Sequence, residues 1–517
     1  MKTTRYILLG LIVCMAQVFS SCSDTLDITE HGSSSFETFY QTDEEADEAI
    51  TAVYCDMFDL YFYWYFLKNL LSDDMWCGGG GRGDNNELEQ LNEYSFDAAH
   101  SYVEYAFECY YSTIYLSNVV LEYVPEESDT QKRDRAEAKV FRAFCYIDLI
   151  SLWGTPPLVD HPLEASEYQQ PNGTTEELWS LVETDLQEAI DSDALTEKSS
   201  VDDDSNYRIT KQFAMALLGK AYVYQEKWSS ACTILDELIE SGKYALYDGE
   251  YEDLLMYTAE HNCESLFELN RVNDTANPYN TGWSMMSLMT GWRADCMNLA
   301  DDIYDQGWGF GNPQGGLYDA FVEREGEDGY RLTQSMKTLS QLKETGSSII
   351  DGDEAYGNEG IFGWKDRVLA DEMITTGWGS SFNNLRVMRY AEVLLLAAEA
   401  HVQAGNTSKA TQYVNEIRER AQLPDLASVT MDDVMIEKRL ELWGECVRFQ
   451  DMVRWGIAAD LLKDQGSETP WCSSNGTVRW EVYNTSNYGF VEGKHELLPI
   501  PDVEISLNAN IVQNPGW

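Results

Sequence analysis

The chain is short of positive charge, of clustered cysteine and of long apolar runs, and each shortage removes a class of function. Its 35 lysines and arginines face 89 aspartates and glutamates, a formal net charge of −54. Such a polyanion repels nucleic acid and anionic lipid surfaces, so no nucleic-acid partner is expected, whereas a neutral ligand meets no such repulsion. The 11 cysteines include no C-x-x-C. Cys14 falls in an apparent export signal and Cys22 at its end, and the odd number remaining leaves at least one unpaired, against a disulfide framework. His31, His100, His161, His261, His401 and His495 lie far apart, without zinc-ligand spacing. No H-E-x-x-H, G-x-x-x-x-G-K-[ST] or G-x-S-x-G occurs, which removes the zinc-protease, phosphate-loop and hydrolase-elbow readings. After the signal, no segment approaches the roughly 18 uninterrupted apolar residues of a membrane span.

What is present begins at the N-terminus. Lys2 and Arg5 give a positive start, Tyr6 to Val13 an apolar stretch, and Ser20-Ser21 small residues before Cys22. That order predicts a signal over 1–21 and a bacterial lipoprotein in which Cys22 becomes the acylated first residue. Acyl chains burying CH2 groups at roughly 0.8 kcal/mol each would hold it to a membrane. An ordinary cleaved signal with a chance cysteine is the alternative, and Phe19 departs from the usual aliphatic residue. Residues 22–41 then read as a polar, lipid-anchored tether.

Hydrophobic residues make up 44% of the chain, enough for a globular domain over 42–517. Asp43-Glu44-Glu45 followed by Ala46, Ile50, Val53 and Met57 predicts a helix starting near Thr42, with further helices at about 103–124, 131–153 and 175–191. Thr210 to Gly242 and Leu385 to Ala421 repeat each other: Gly219 and Ala231 in the first recur as Ala398 and Ala410 in the second. Small residues at that spacing belong to antiparallel helix hairpins of the tetratricopeptide type. The expected class is therefore mainly α, tetratricopeptide-like helical repeats with a large irregular, loop-rich insertion at about 243–385. Loop-rich segments on a helical scaffold are commonly functional.

Little reaction chemistry survives. Gly78 to Gly83 formally satisfies G-x-G-x-x-G but reads as following a helix, which rejects a dinucleotide site. The pairs Asp73-Asp74 and Asp301-Asp302 could serve glycoside hydrolysis, yet adjacent acids are expected by chance among 89. Asp202-Asp203-Asp204 and Asp351-Gly352-Asp353-Glu354 do not complete a calcium loop. No cofactor and no catalytic or metal residue is assigned. Aromatics in glycine-rich loops remain. A flat indole packs against the C–H face of a sugar while Asp, Asn and Arg bond its hydroxyls. The expected site is a shallow platform of Trp76, Trp283 and Trp292 with Asp73, Asp74 and Arg82 as polar contacts, and Trp308 and Trp378 in reserve.

Four segments carry a family resemblance. Glu137-Ala138-Lys139 with Arg142-Ala143-Phe144 and Leu152-Trp153-Gly154 form the first. Arg389-Tyr390-Ala391-Glu392-Val393-Leu394-Leu395 and Glu437-Lys438-Arg439 through Asp451-Met452-Val453-Arg454-Trp455-Gly456 follow. Leu498-Pro499-Ile500-Pro501 and Gln513-Asn514-Pro515-Gly516-Trp517 close the chain. Together they resemble the SusD/RagB family of outer-membrane nutrient-binding lipoproteins; Cys446 departs from the small residue more usual there. The resemblance implies a lipid-anchored protein of the outer membrane, working as a lid on a SusC-like TonB-dependent transporter. It also implies capture of oligosaccharides without catalysis, with a peptide-binding member or a glycoside hydrolase as alternatives. Arg389 and Glu392 would join buried ion-pair networks.

Overall fold

The computed structural model describes residues 39–205, 207–274, 276, 285–374 and 380–517. The expected signal, Cys22 and most of the tether lie outside the described residues, as do Trp283 and Trp378.

The scaffold is a stack of helices joined by short turns. α1 (Asp43–Leu70) opens on a capping box: Thr42 accepts from the Glu45 N–H, and the Glu45 carboxylate accepts from the Thr42 N–H at 2.9 Å. Its predicted stripe of Ala46, Ile50, Val53 and Met57 is buried. α2 (Ser101–Tyr123) and α3 (Asp129–Trp153) pack on it, followed by α4 (Thr175–Asp191), capped by Thr174 and Glu177. The two sequence repeats are helix hairpins. α5 (Lys211–Tyr224) folds back on α6 (Trp228–Glu240), and α7 (Tyr390–Gln403) on α8 (Thr407–Arg420). α7 also packs against α6, so copies far apart in sequence are neighbours in space. Ala231, Ala398 and Ala410 have no exposed surface. A Cβ on Gly219 would overlap the Leu235 side chain, which is why the spacing selects small residues there.

α9 (Met431–Leu442) closes the scaffold, and one hydrophobic core runs from Ala46 to Ile511. The C-terminal segment is pinned to the end of α3: Trp153 Nε1 donates to the Pro499 carbonyl at 2.9 Å and Asn514 Nδ2 to the Trp153 carbonyl at 2.9 Å. Glu392 pairs with Lys220 at 3.0 Å, and Arg389 with Glu441 at 3.0 Å. All nine described cysteines are free. No helix among the described residues is long and apolar enough to cross a membrane.

The irregular insertion leaves and returns through one antiparallel strand pair, Ser265–Leu269 with Leu385–Arg389. It is not featureless. It carries short strands, short helices and a core of its own around Trp292, Phe362 and Trp364. A second cluster, Leu317, Phe321, Leu332 and Met336 against Leu440 and Trp443, seats it on α9. Ion pairs reinforce that seat: Arg331, fully buried, reaches Glu437 at 2.7 Å and Glu441 at 3.3 Å.

Candidate functional site

β1 (Met75–Gly78) pairs antiparallel with β2 (Phe310–Pro313), Trp76 opposite Asn312 and Gly78 opposite Phe310. The glycine run therefore follows a strand and not the helix its sequence suggested. That strand is antiparallel and the helix beyond, Asn86–Glu93, is short, so the dinucleotide fold is still missing. Gly78 has φ +74° and a Cβ there would overlap the Gly309 carbonyl, so only glycine lets the two strands close.

A second small sheet abuts the first. β4 (Thr469–Ser473) lies between β3 (Glu354–Tyr356) and β5 (Val478–Glu481). Gly357, just after β3, donates its N–H to the Pro470 carbonyl at 2.9 Å, and a Cβ on it would meet the Gly78 backbone at 2.8 Å. Three distant stretches of chain thus converge on the loop Gly79–Gly83.

Around that loop stand aromatic rings and guanidinium groups. Trp480 on β5 meets the Trp76 ring edge-on, with centroids 5.9 Å apart. Trp471 on β4 lies 4.8 Å from Tyr356 and under the Arg479 guanidinium at 4.7 Å. Its Nε1 donates to the Tyr483 hydroxyl at 3.3 Å. Tyr483 in turn carries the Arg82 guanidinium at 4.9 Å. Arg293 packs against Gly80, donating to Asp84 at 2.9 Å and to the Trp308 carbonyl at 3.3 Å. Trp308 is 37% exposed and Trp480 44%; no other described tryptophan is as open.

The expected platform residues fall in different places. Trp76 is 8% exposed, its Nε1 donating to Glu359 at 2.7 Å, so it backs Trp480 and offers little face of its own. Arg82 is part of the loop itself, held by Glu93 and Glu89. Trp292 is 7% exposed inside the insertion's core, packed against Phe362 and Trp364. Asp73 and Asp74 are not open to a ligand either. Arg448 grips Asp73 at 2.8 and 3.0 Å, and Arg439 reaches Asp74 at 2.7 Å. Burial would raise both carboxyls. Arg439 and Arg448 override it for Asp73, which is lowered, while Asp74 stays raised. Their work is to tie the start of β1 to α9 and the helix after it.

In the sequence Trp308 is only a reserve candidate, and Trp471, Trp480 and Tyr483 are marked by nothing more specific than the Trp/Tyr-rich composition of the C-terminal segment. What no motif conveyed was the strand pairing that brings that segment to the glycine loop. Among the described residues no three His, Cys, Asp or Glu side chains converge as metal ligands. The arrangement offers flat apolar faces and hydrogen-bond donors around a shallow loop.

Residues 343–517 match the model of the SusD family, and residues 38–223 one described as starch-binding associating with outer membrane. SusD-like protein P25 of Formosa agariphila is 24% identical, with 98% of each chain covered. A solved laminarin-binding SusD-like protein superposes with a TM-score of 0.77 at 28% identity, over 92% of this chain and 100% of that one. Surface glycan-binding protein A from Bacteroides thetaiotaomicron, solved in complex with laminarihexaose, gives 0.71 at 24% identity over 91% and 99%.

Proposed function

Since this chain belongs to the SusD family, we propose that it is a non-catalytic glycan-binding lipoprotein of the outer membrane. It captures oligosaccharides at the cell surface and delivers them to a SusC-like TonB-dependent transporter. Cys22 carries the lipid anchor. The observation behind the ligand reading is the position of Trp308 and Trp480, the two most open tryptophans described, at the loop Gly79–Gly83. Their faces stack on sugar rings, and Arg82, Arg293 and Arg479 supply donors to hydroxyls. Trp471 and Tyr483 extend the aromatic surface. Trp76 supports Trp480 from below, while Asp73, Asp74 and Trp292 hold the platform's frame.

A surface that hands its ligand to a transporter has to release it. Affinity between micromolar and millimolar, about −8 to −4 kcal/mol, suits that task. The test is calorimetry with laminarihexaose and a panel of other neutral oligosaccharides, on wild type and on Trp308→Ala and Trp480→Ala. Binding by wild type that drops in both variants supports the reading. Unchanged affinity in both well-folded variants would place the site elsewhere. Release of shorter sugars by the pure protein would show catalysis instead.

A further inference from the structure

Beneath the insertion lies a cavity of about 130 Å³. It shares no residue with the aromatic platform. Tyr61 and Tyr65 of α1 form one wall, and Arg271, Ser381, Asn383 and Arg386 line it from the insertion. At roughly 30 Å³ per water it has room for about four waters, or for one small polar group.

Arg271 is the anomaly. It is 8% exposed. Its Nη1 donates to the Ser381 carbonyl at 3.0 Å, but Nε and Nη2 have no hydrogen-bond partner. Those two nitrogens form one edge of the guanidinium, the edge that grips a carboxylate with two parallel bonds. A buried charge left without a counter-charge is costly, and buried donors are ordinarily satisfied. Here burial pushes the Arg271 pKa down to about 10, with only Tyr61 and Glu260 acting against it.

The other cations of the cavity are matched. Lys365 pairs with Glu445 at 2.8 Å, Arg386 lies 3.5 Å from Glu268, and Arg367 lies 4.0 Å from Asp253. Among the described residues Arg271 alone of the four has no carboxylate in ion-pairing range. The cavity's remaining carboxyls, Asp366 and Glu372, make no ion pair with Arg271, and burial pushes them up to about 6 and about 7. Four cationic side chains against three acidic ones line this space, in a chain whose net charge is −54.

We propose that this cavity is a carboxylate-binding site, in which the free Nε–Nη2 edge of Arg271 takes a ligand carboxylate. The ligand class is a small organic acid or the carboxylate of a uronic acid residue in an acidic glycan. Such a site would let a protein of strongly negative charge hold a negatively charged ligand group.

The experiment uses the full mature chain and three probes, D-glucuronate, acetate and D-glucose, at ionic strength matched with NaCl. Thermal shift and calorimetry are read on wild type and Arg271→Gln. Saturable binding of glucuronate that glucose does not reproduce, weakened about tenfold or more in the variant, is the expected result. Acetate competing with glucuronate points to the carboxylate alone; glucuronate binding that acetate does not disturb points to the sugar acid. Either supports the site. A glucuronate response no larger than that of NaCl or glucose, or one retained in Arg271→Gln, overturns it. If Arg271→Gln folds poorly, Thr290→Phe, which fills the cavity from Met286–Thr290 without touching the charge, must abolish the same response. Laminarihexaose binding, measured in parallel, reports on the aromatic platform, so failure of either site is distinguishable.

Discussion

Glu441 in the scaffold and Glu372 in the insertion are both buried glutamates, and their surroundings treat them in opposite ways. Burial alone would raise Glu441, but Arg420, Arg389 and Arg331 override it and hold the carboxyl well below its ordinary value. Glu445 and Asp451 are lowered similarly, by Arg389 with Lys365 and by Lys438 with Arg454. Glu372 has a Tyr257 N–H, Arg386 and Asn383 near it, yet burial wins and the group rises to about 7. Helical register explains the contrast. Residues four apart on α9, Glu437 and Glu441, present their carboxylates on one face to a row of arginines. The insertion is arranged by turns and short strands between distant segments, which leave charge unmatched around a cavity.

The comparison breaks first at the joint between the two regions. Arg331 belongs to the insertion and its partners Glu437 and Glu441 to α9. Arg331→Met removes one partner from a fully buried network and should cost about 3–5 kcal/mol. Urea unfolding checks it. A midpoint equal to that of wild type would mean that the insertion is not braced there. Within the scaffold, Ala410→Leu should overpack the α7–α8 hairpin, where Ala410 has no exposed surface, and cost about 1–3 kcal/mol by the same assay. An unchanged midpoint would show that the repeat junction has slack.

On the insertion side the expected loss falls on binding. Trp480→Ala removes a half-exposed ring and should weaken oligosaccharide binding by about 1–3 kcal/mol, by analogy with base stacking on aromatic side chains. Its melting temperature should stay near that of wild type, because Trp76 remains held by Glu359. A large drop in stability with unchanged affinity would make Trp480 a structural ring and reverse the assignment.

These two regions were also unequally legible in the sequence. The helix starts at Thr42 and Thr174, the two hairpins and the small residues at their crossings all follow from periodicity and capping, which are local. The strand β1 was hidden, because four residues, Met75 to Gly78, give no alternating pattern long enough to recognise. Trp292 and Trp308 sit in similar glycine-flanked contexts, yet one is core and the other open. Only the packing of Phe362 and Trp364, some 70 residues on, decides between them. Asp73 and Asp74 looked available for the same reason: the arginines that occupy them lie more than 360 residues away in sequence.

The smallest effect is the most specific to the contrast of buried acids. Glu372, 2% exposed, has a pKa raised from 4.5 to about 7 in the folded protein. Between those values the folded state binds a proton that the unfolded state has released, so stability falls as pH rises through this window and levels off above the folded value. Glu441, Glu445 and Asp451 behave in the reverse sense. Their lowered values add stability that is complete above the unfolded pKa and is lost only in acid, so they contribute no slope between pH 6 and 8. Over that interval the Glu372 contribution changes by about 1 kcal/mol, favouring the lower pH. Glu372→Gln keeps the shape and the acceptor for the Tyr257 N–H, and it removes the titration. Relative to wild type, the variant should therefore gain stability at pH 8 more than at pH 6, which shifts the change in unfolding free energy between the two pH values by about 1 kcal/mol. An identical pH slope in both proteins would show that Glu372 is ionised in the folded state and matched by Arg386, which would erase the contrast with Glu441.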